Sequence, residues 1–70
     1  MPYVHIQVTE EGVSEHQKAE LIKGTTDLLV DVLNKEPATT FVVIEEVPLE
    51  NWGIAGLPVK EFRARKKAGS

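Results

Sequence analysis

Tyr3-Val4-His5-Ile6-Gln7-Val8-Thr9 alternates along its whole length, with Val4, Ile6 and Val8 on one side and Tyr3, His5, Gln7 and Thr9 on the other. A period of two is the mark of a strand with one face turned to a core. Glu10, Glu11 and Gly12 interrupt the alternation, and the period then changes. Ser14 followed by Gln17 reads as a capping box, in which hydroxyl and amide satisfy the first helical N–H groups reciprocally. Leu21, Ile22, Thr25, Leu28, Leu29, Val32 and Leu33 recur at the 3.6-residue spacing and predict one apolar helical stripe, with Glu20, Lys23, Asp27 and Asp31 facing away. Asn34, tolerant of the left-handed conformation, is placed to end that helix. Beyond a short loop at residues 35–40, which contains Pro37, Phe41-Val42-Val43-Ile44 is β-favouring without alternation. That run predicts a second strand covered on both faces, stopped at Pro48 because proline has no N–H for a ladder.

Strand, helix, strand in this order implies a right-handed crossover and two parallel strands beneath one helix. The closely spaced glycines of Asn51-Trp52-Gly53-Ile54-Ala55-Gly56 predict a tight hairpin or folded loop. Residues 59–70 become polar and basic, and about the last five, 66–70, are expected to form a mobile tail. The fold class is therefore α+β: a single β-α-β unit with a C-terminal hairpin, one domain over residues 1–70.

Seventy residues exclude a second core, and no cysteine is present, which excludes a disulfide framework, a thiolate metal site and a thiol nucleophile. A net charge of −3 argues against a general nucleic-acid binder, which would carry surplus lysine and arginine. No apolar run approaches the ~20 residues of a membrane span, and the first nine residues lack the pattern of a signal peptide, so no membrane partner and a cytoplasmic location are expected. A lone core below about 70–80 residues rarely supplies more than ~3–5 kcal/mol, and a two-stranded sheet under one helix leaves a face and an edge uncovered. Homo-oligomerisation is the expected remedy.

The most unusual chemical feature is Met1-Pro2 running straight into the first strand. Removal of Met1 would make Pro2 an amino-terminal secondary amine held in place by the strand. An α-amino group titrates near ~7.7–8.0, and apolar surroundings disfavour its charged form, so such an amine suits general acid/base work. Other clusters carry less. His5 and His16 lie on different elements with no i, i+4 partner, which predicts no metal site, and His5 is expected to form hydrogen bonds within an interface or core. Glu45 and Glu46 face opposite ways and cannot form a paired-carboxylate site by themselves, and Gly53 and Gly56 follow no phosphate-loop pattern.

Pro2-Tyr3-Val4-His5-Ile6, Ser14-Glu15-His16-Gln17-Lys18 opening a long helix, Thr40-Phe41-Val42-Val43-Ile44-Glu45-Glu46-Val47 and Asn51-Trp52-Gly53-Ile54-Ala55-Gly56 occur in an order and spacing that resembles the 4-oxalocrotonate tautomerase family. The resemblance runs from Pro2 to about Arg65. It implies a cofactor-free isomerase in which Pro2 moves a proton between two positions of an enol or dienol of a 2-oxo acid. It also implies a hexamer, a trimer of dimers in which two β-α-β units pair into a four-stranded sheet. Trp52 matches the family's active-site aromatic and would supply apolar walls, and Arg63 matches a basic tail position that would reach substrate across an interface, unless it belongs to a solvated basic tail. The family's dicarboxylate-handling members carry arginines where this chain has Val13 and Val42, so the resemblance implies an enol with fewer carboxylates, of the phenylpyruvate class. Enolate stabilisation is then left to backbone amides, a lysine or ordered water. Two rivals remain open on the same scaffold: a hydratase or dehalogenase using Pro2, and a non-catalytic oligomeric binding protein.

Overall fold

The computed structural model describes residues 1–69. Strand β1 (Tyr3–Thr9) pairs in parallel with β2 (Phe41–Val47) in the register Tyr3↔Phe41 to Thr9↔Val47, and helix α1 (Glu15–Leu33) forms the crossover between them. A hairpin of β3 (Gly53–Ile54) and β4 (Leu57–Pro58) follows, and a second helix, α2 (Val59–Gly69), ends the chain. Short 3-10 turns at Pro37–Thr39 and Leu49–Asn51 bracket β2.

Both ends of α1 form as the sequence directs. Gln17 N–H donates to the Ser14 hydroxyl at 3.1 Å, and Ser14 N–H donates to the Gln17 side-chain oxygen at 2.9 Å, which completes the capping box. Asn34 closes the helix at φ 54°, its N–H donating to the Val30 carbonyl. The apolar stripe, however, divides. Thr25 and Leu29 are half-buried, whereas Leu21, Leu28, Val32 and Leu33 stay exposed, because two strands are too narrow a platform for the whole stripe.

The strands divide in the same way. Val4, Ile6, Val8, Val42, Ile44 and Glu46 are half-buried, and Glu46 meets Lys18 of α1 at 2.6 Å, which identifies the covered face. Tyr3, His5, Gln7, Phe41, Val43 and Glu45 lie on the uncovered face. Residues 41–44 are covered on one side by this chain: Phe41 and Val43 remain exposed on the face that nothing in this chain packs against, the face expected to be left for another copy. His5 finds its partner there, Nε2 lying 3.0 Å from Glu45, which also accepts from Gln7. Among the described residues Val59 alone is fully enclosed, at 1 % exposure.

Residues 59–69 form a helix that the sequence reading does not anticipate, and Ser70, the last residue of the expected tail, lies outside the described residues. The cue is Val59 with Phe62, an i, i+3 apolar pair in a run free of glycine and proline until Gly69. Arg65 pairs with Glu61 one turn back, and Glu61 in the first turn with Lys66 and Lys67 in the last complement the helix dipole.

The hairpin turn carries the backbone's strain. Ala55 and Gly56 both adopt positive φ, 53° and 82°, the arrangement of a two-residue primed turn. Gly56 does so freely, whereas a Cβ in the left-handed region costs roughly 1–2 kcal/mol. Glycine at position 55 would remove that cost while adding about 0.4–1 kcal/mol of unfolded-chain freedom. Relief of the strain outweighs the added freedom. Ala55→Gly should therefore raise unfolding stability by about 0.5–1 kcal/mol, measured by urea denaturation at matched protein concentration.

Candidate functional site

Pro2 sits at the amino end of the parallel ladder, where its carbonyl accepts the Phe41 N–H at 3.0 Å. That bond closes the first rung and holds a half-buried Pro2 at the sheet edge, beside the turn leading into β2. Met1 is 84 % exposed, so the bond joining it to Pro2 is accessible. While Met1 remains, the Pro2 nitrogen is an amide and has no basic lone pair.

Trp52 lies at the opposite end. It follows the Leu49–Asn51 turn beyond the carboxyl end of β2, half-buried, with its carbonyl accepting the Val59 N–H at 2.8 Å. Seven residues of strand separate the two edges, about 20 Å at the usual rise of ~3.3 Å per residue. Pro2 and Trp52 of one chain therefore do not share a site. Arg63 lies on α2 one turn beyond Val59, on the same face of that helix, so Trp52 and Arg63 belong to one C-terminal arm and Pro2 to the other end of the molecule.

Arg63 is not a free cation. Its Nη1 and Nη2 donate to Glu11 Oε1 and Oε2 at 2.5 and 3.3 Å, and the Thr9 hydroxyl donates to the same carboxylate. The hydrogen bond from Arg63, then that from Thr9, holds the Glu11 carboxyl at about 2, well below its ordinary 4.5, and Glu11 pushes Arg63 further up. A folded-state value below the ordinary one means that the pair's contribution is complete above the ordinary carboxylate range and is lost as pH falls through about 2. Sequence reasoning passed over Glu11, whose only local signal is its place in the break between β1 and α1.

Val13 and Val42, both half-buried, supply no charge where they stand. Val13 joins Gln17, Glu20 and Leu21 in a shallow depression on the flank of α1. A separate cleft of about 320 Å³ opens at the carboxyl end of the sheet, lined by Glu10, Pro48, Leu49, Glu50, Pro58 and Lys60, and it includes none of Pro2, Trp52 and Arg63. The described residues contain no group of three or more histidine, cysteine, aspartate or glutamate side chains able to hold a metal, and no helix among them is long and apolar enough to cross a membrane.

Comparison with known proteins gives these positions a context. The family model described as "Tautomerase enzyme" matches residues 2–61. The chain is 56% identical over 63 residues to a probable tautomerase K2 of Dickeya dadantii (strain 3937), covering 90% of this chain and 94% of that protein. It is 44% identical over 62 residues to a 2-hydroxymuconate tautomerase of Comamonas testosteroni, covering 89% and 97%. The solved heterohexamer 4-oxalocrotonate tautomerase from Chloroflexus aurantiacus J-10-fl superposes with a TM-score of 0.80 at 30% identity, covering 90% of this chain and all of that one. With the β-α-β unit, the hairpin and a family match running from Pro2 through α2's first turn, the chain belongs to the tautomerase family of isomerases.

Proposed function

We propose that this chain is a cofactor-independent keto–enol tautomerase of 2-oxo acids, with Pro2 as its acid/base once Met1 has been removed. The observation that carries the reading is the place of Pro2, fixed by the Phe41 N–H at an open sheet edge in a chain of the tautomerase family. The neutral amine takes the enol hydroxyl proton, the oxygen's electron pair forms the carbonyl, and the conjugated carbon takes a proton from the prolinium. No atom is gained or lost, and Pro2 returns to its neutral form. Holding one base within reach of both positions is a task of orientation, which a strand-anchored ring performs without a flexible side chain.

The site in this reading is completed between copies. Pro2 and Trp52 of one chain stand beyond opposite edges of a sheet about 20 Å long, so a Trp52 that walls a site does so for the Pro2 of another copy. The assembly we infer is a homohexamer, a trimer of dimers, in which two β-α-β units pair into a four-stranded sheet. Supporting it are the exposed Leu28, Val32, Phe41 and Val43, the two open strand edges, and the hexameric state named for the Chloroflexus relative. An indole over the amine excludes water and favours its neutral form.

The substrate is an enol bearing a single carboxylate. Val13 and Val42 offer no guanidinium for a second acid group, and Arg63 is already engaged by Glu11, so the diacid named for the Comamonas relative fits poorly. Each charge-assisted bidentate contact left out removes about a factor of ten or more in affinity for the extra carboxylate. The expected enol belongs to the phenylpyruvate class, its aryl group lying against Trp52. Backbone amides, a lysine or ordered water would carry the enolate charge.

Intact mass should show loss of Met1, and light scattering should give the mass of six chains. Ketonisation of phenylenolpyruvate should exceed that of 2-hydroxymuconate by about tenfold or more in kcat/KM. Pro2→Ala should lower that rate by about 10²–10⁴-fold, the usual contribution of a positioned acid/base. A processed protein whose activity is unchanged by Pro2→Ala would refute the catalytic assignment, and a monomer of full activity would refute the shared site.

A further inference from the structure

The C-terminal arm, residues 49–69, packs mainly on itself. Helix α2 rests on the Leu49–Asn51 turn and on the hairpin, and Val59 is enclosed where α2 begins. Toward the β-α-β body, by contrast, the arm faces the cleft lined by Glu10 on the loop side and by Lys60 on the helix side. Adjacent to both walls, Glu11 and Arg63 bridge the loop and α2 with two N–H···O bonds, and Thr9 at the end of β1 holds the Glu11 carboxylate from behind.

A bidentate bridge fixes a direction as well as a distance, since the planar guanidinium and the carboxylate must lie edge to edge. Both groups remain partly exposed, 53 % for Arg63 and 40 % for Glu11, and an exposed pair adds little to stability. Its consequence is the angle of the arm, and the arm carries Trp52.

We propose that Glu11 and Arg63 form a positioning pair that holds the C-terminal arm at the angle needed for Trp52 to meet the Pro2 of another copy. This rests on the shared site proposed above. Arg63 then acts through Trp52 and touches no substrate, because its charge is met by Glu11 of its own chain. Glu11, on the loop at the opposite end of β1 from Pro2, becomes a residue on which turnover depends.

Three variants test the pair: Glu11→Gln, Arg63→Gln, and the exchange of Glu11→Arg with Arg63→Glu. Each single variant should lower kcat by about tenfold with KM within about twofold, since a displacement of about 1 Å at a reacting centre costs up to about 10²-fold. The emission of Trp52, the only tryptophan, should shift to the red in both, and the exchange should restore emission and rate together. The Glu11 carboxyl, followed by NMR, should titrate at about 2 in the wild type and return toward 4.5 in Arg63→Gln. A rise in KM confined to Arg63→Gln would make Arg63 a substrate contact and overturn the proposal. So would single variants with wild-type emission and rate, or an ordinary Glu11 titration in the wild type. Emission and titration read the arm without turnover, so unchanged activity in Pro2→Ala would remove the catalytic reading while these two measurements still decide the pair.

Discussion

The parallel pairing of β1 with β2 is the constraint from which the other features follow. Parallel strands need a crossover, which α1 supplies, and they send both carboxyl ends to the same edge of the sheet. The amino-terminal residues therefore collect at one edge, while the β1–α1 loop, the hairpin and α2 collect at the other. In this chain the first residues and the last element stand at opposite edges. In the proposed assembly, chemistry that uses both ends is done between copies, and the exposed stripe on α1 and the uncovered sheet face are the surfaces on which those copies would meet.

Charge is arranged to the same plan. Lys18 and Glu46 close the seam between α1 and β2 on the covered face, while His5 and Gln7 both meet Glu45 on the open one. At the carboxyl edge Arg63 is neutralised by Glu11, and Arg65 is paired with Glu61 along its own helix. Both arginines of the chain are thus committed to carboxylates of that chain, and a hydrogen-bond donor for an acidic ligand has to be found among lysines or backbone N–H groups.

Much of the fold could be read from local pattern because its causes are local. Alternation in residues 3–9, the Ser14–Gln17 box and the left-handed Asn34 each depend on neighbours within four positions, and each appears in the structure where expected. The composition of residues 41–44 is that of a strand covered on both faces, and a single chain supplies the cover for one of them. Helix α2 was missed because its basic residues resemble a solvated tail, and the apolar pair Val59 and Phe62 is too short a periodicity to stand out. Glu11 and Arg63 lie 52 residues apart, and no local signal links them.

By itself the sequence determined the elements, their order and the presence of a proline at the head of a strand, since these follow from side-chain period, capping and the short-range limits on φ. Membership of the tautomerase family was legible for the same reason, as a set of short motifs in a fixed order. Only the tertiary structure decided that Pro2 and Trp52 stand at opposite edges of the sheet and that Arg63 is held by Glu11. Those facts depend on the parallel register and on the packing of α2, and distances across a fold are set by which surfaces meet, which short-range pattern does not encode.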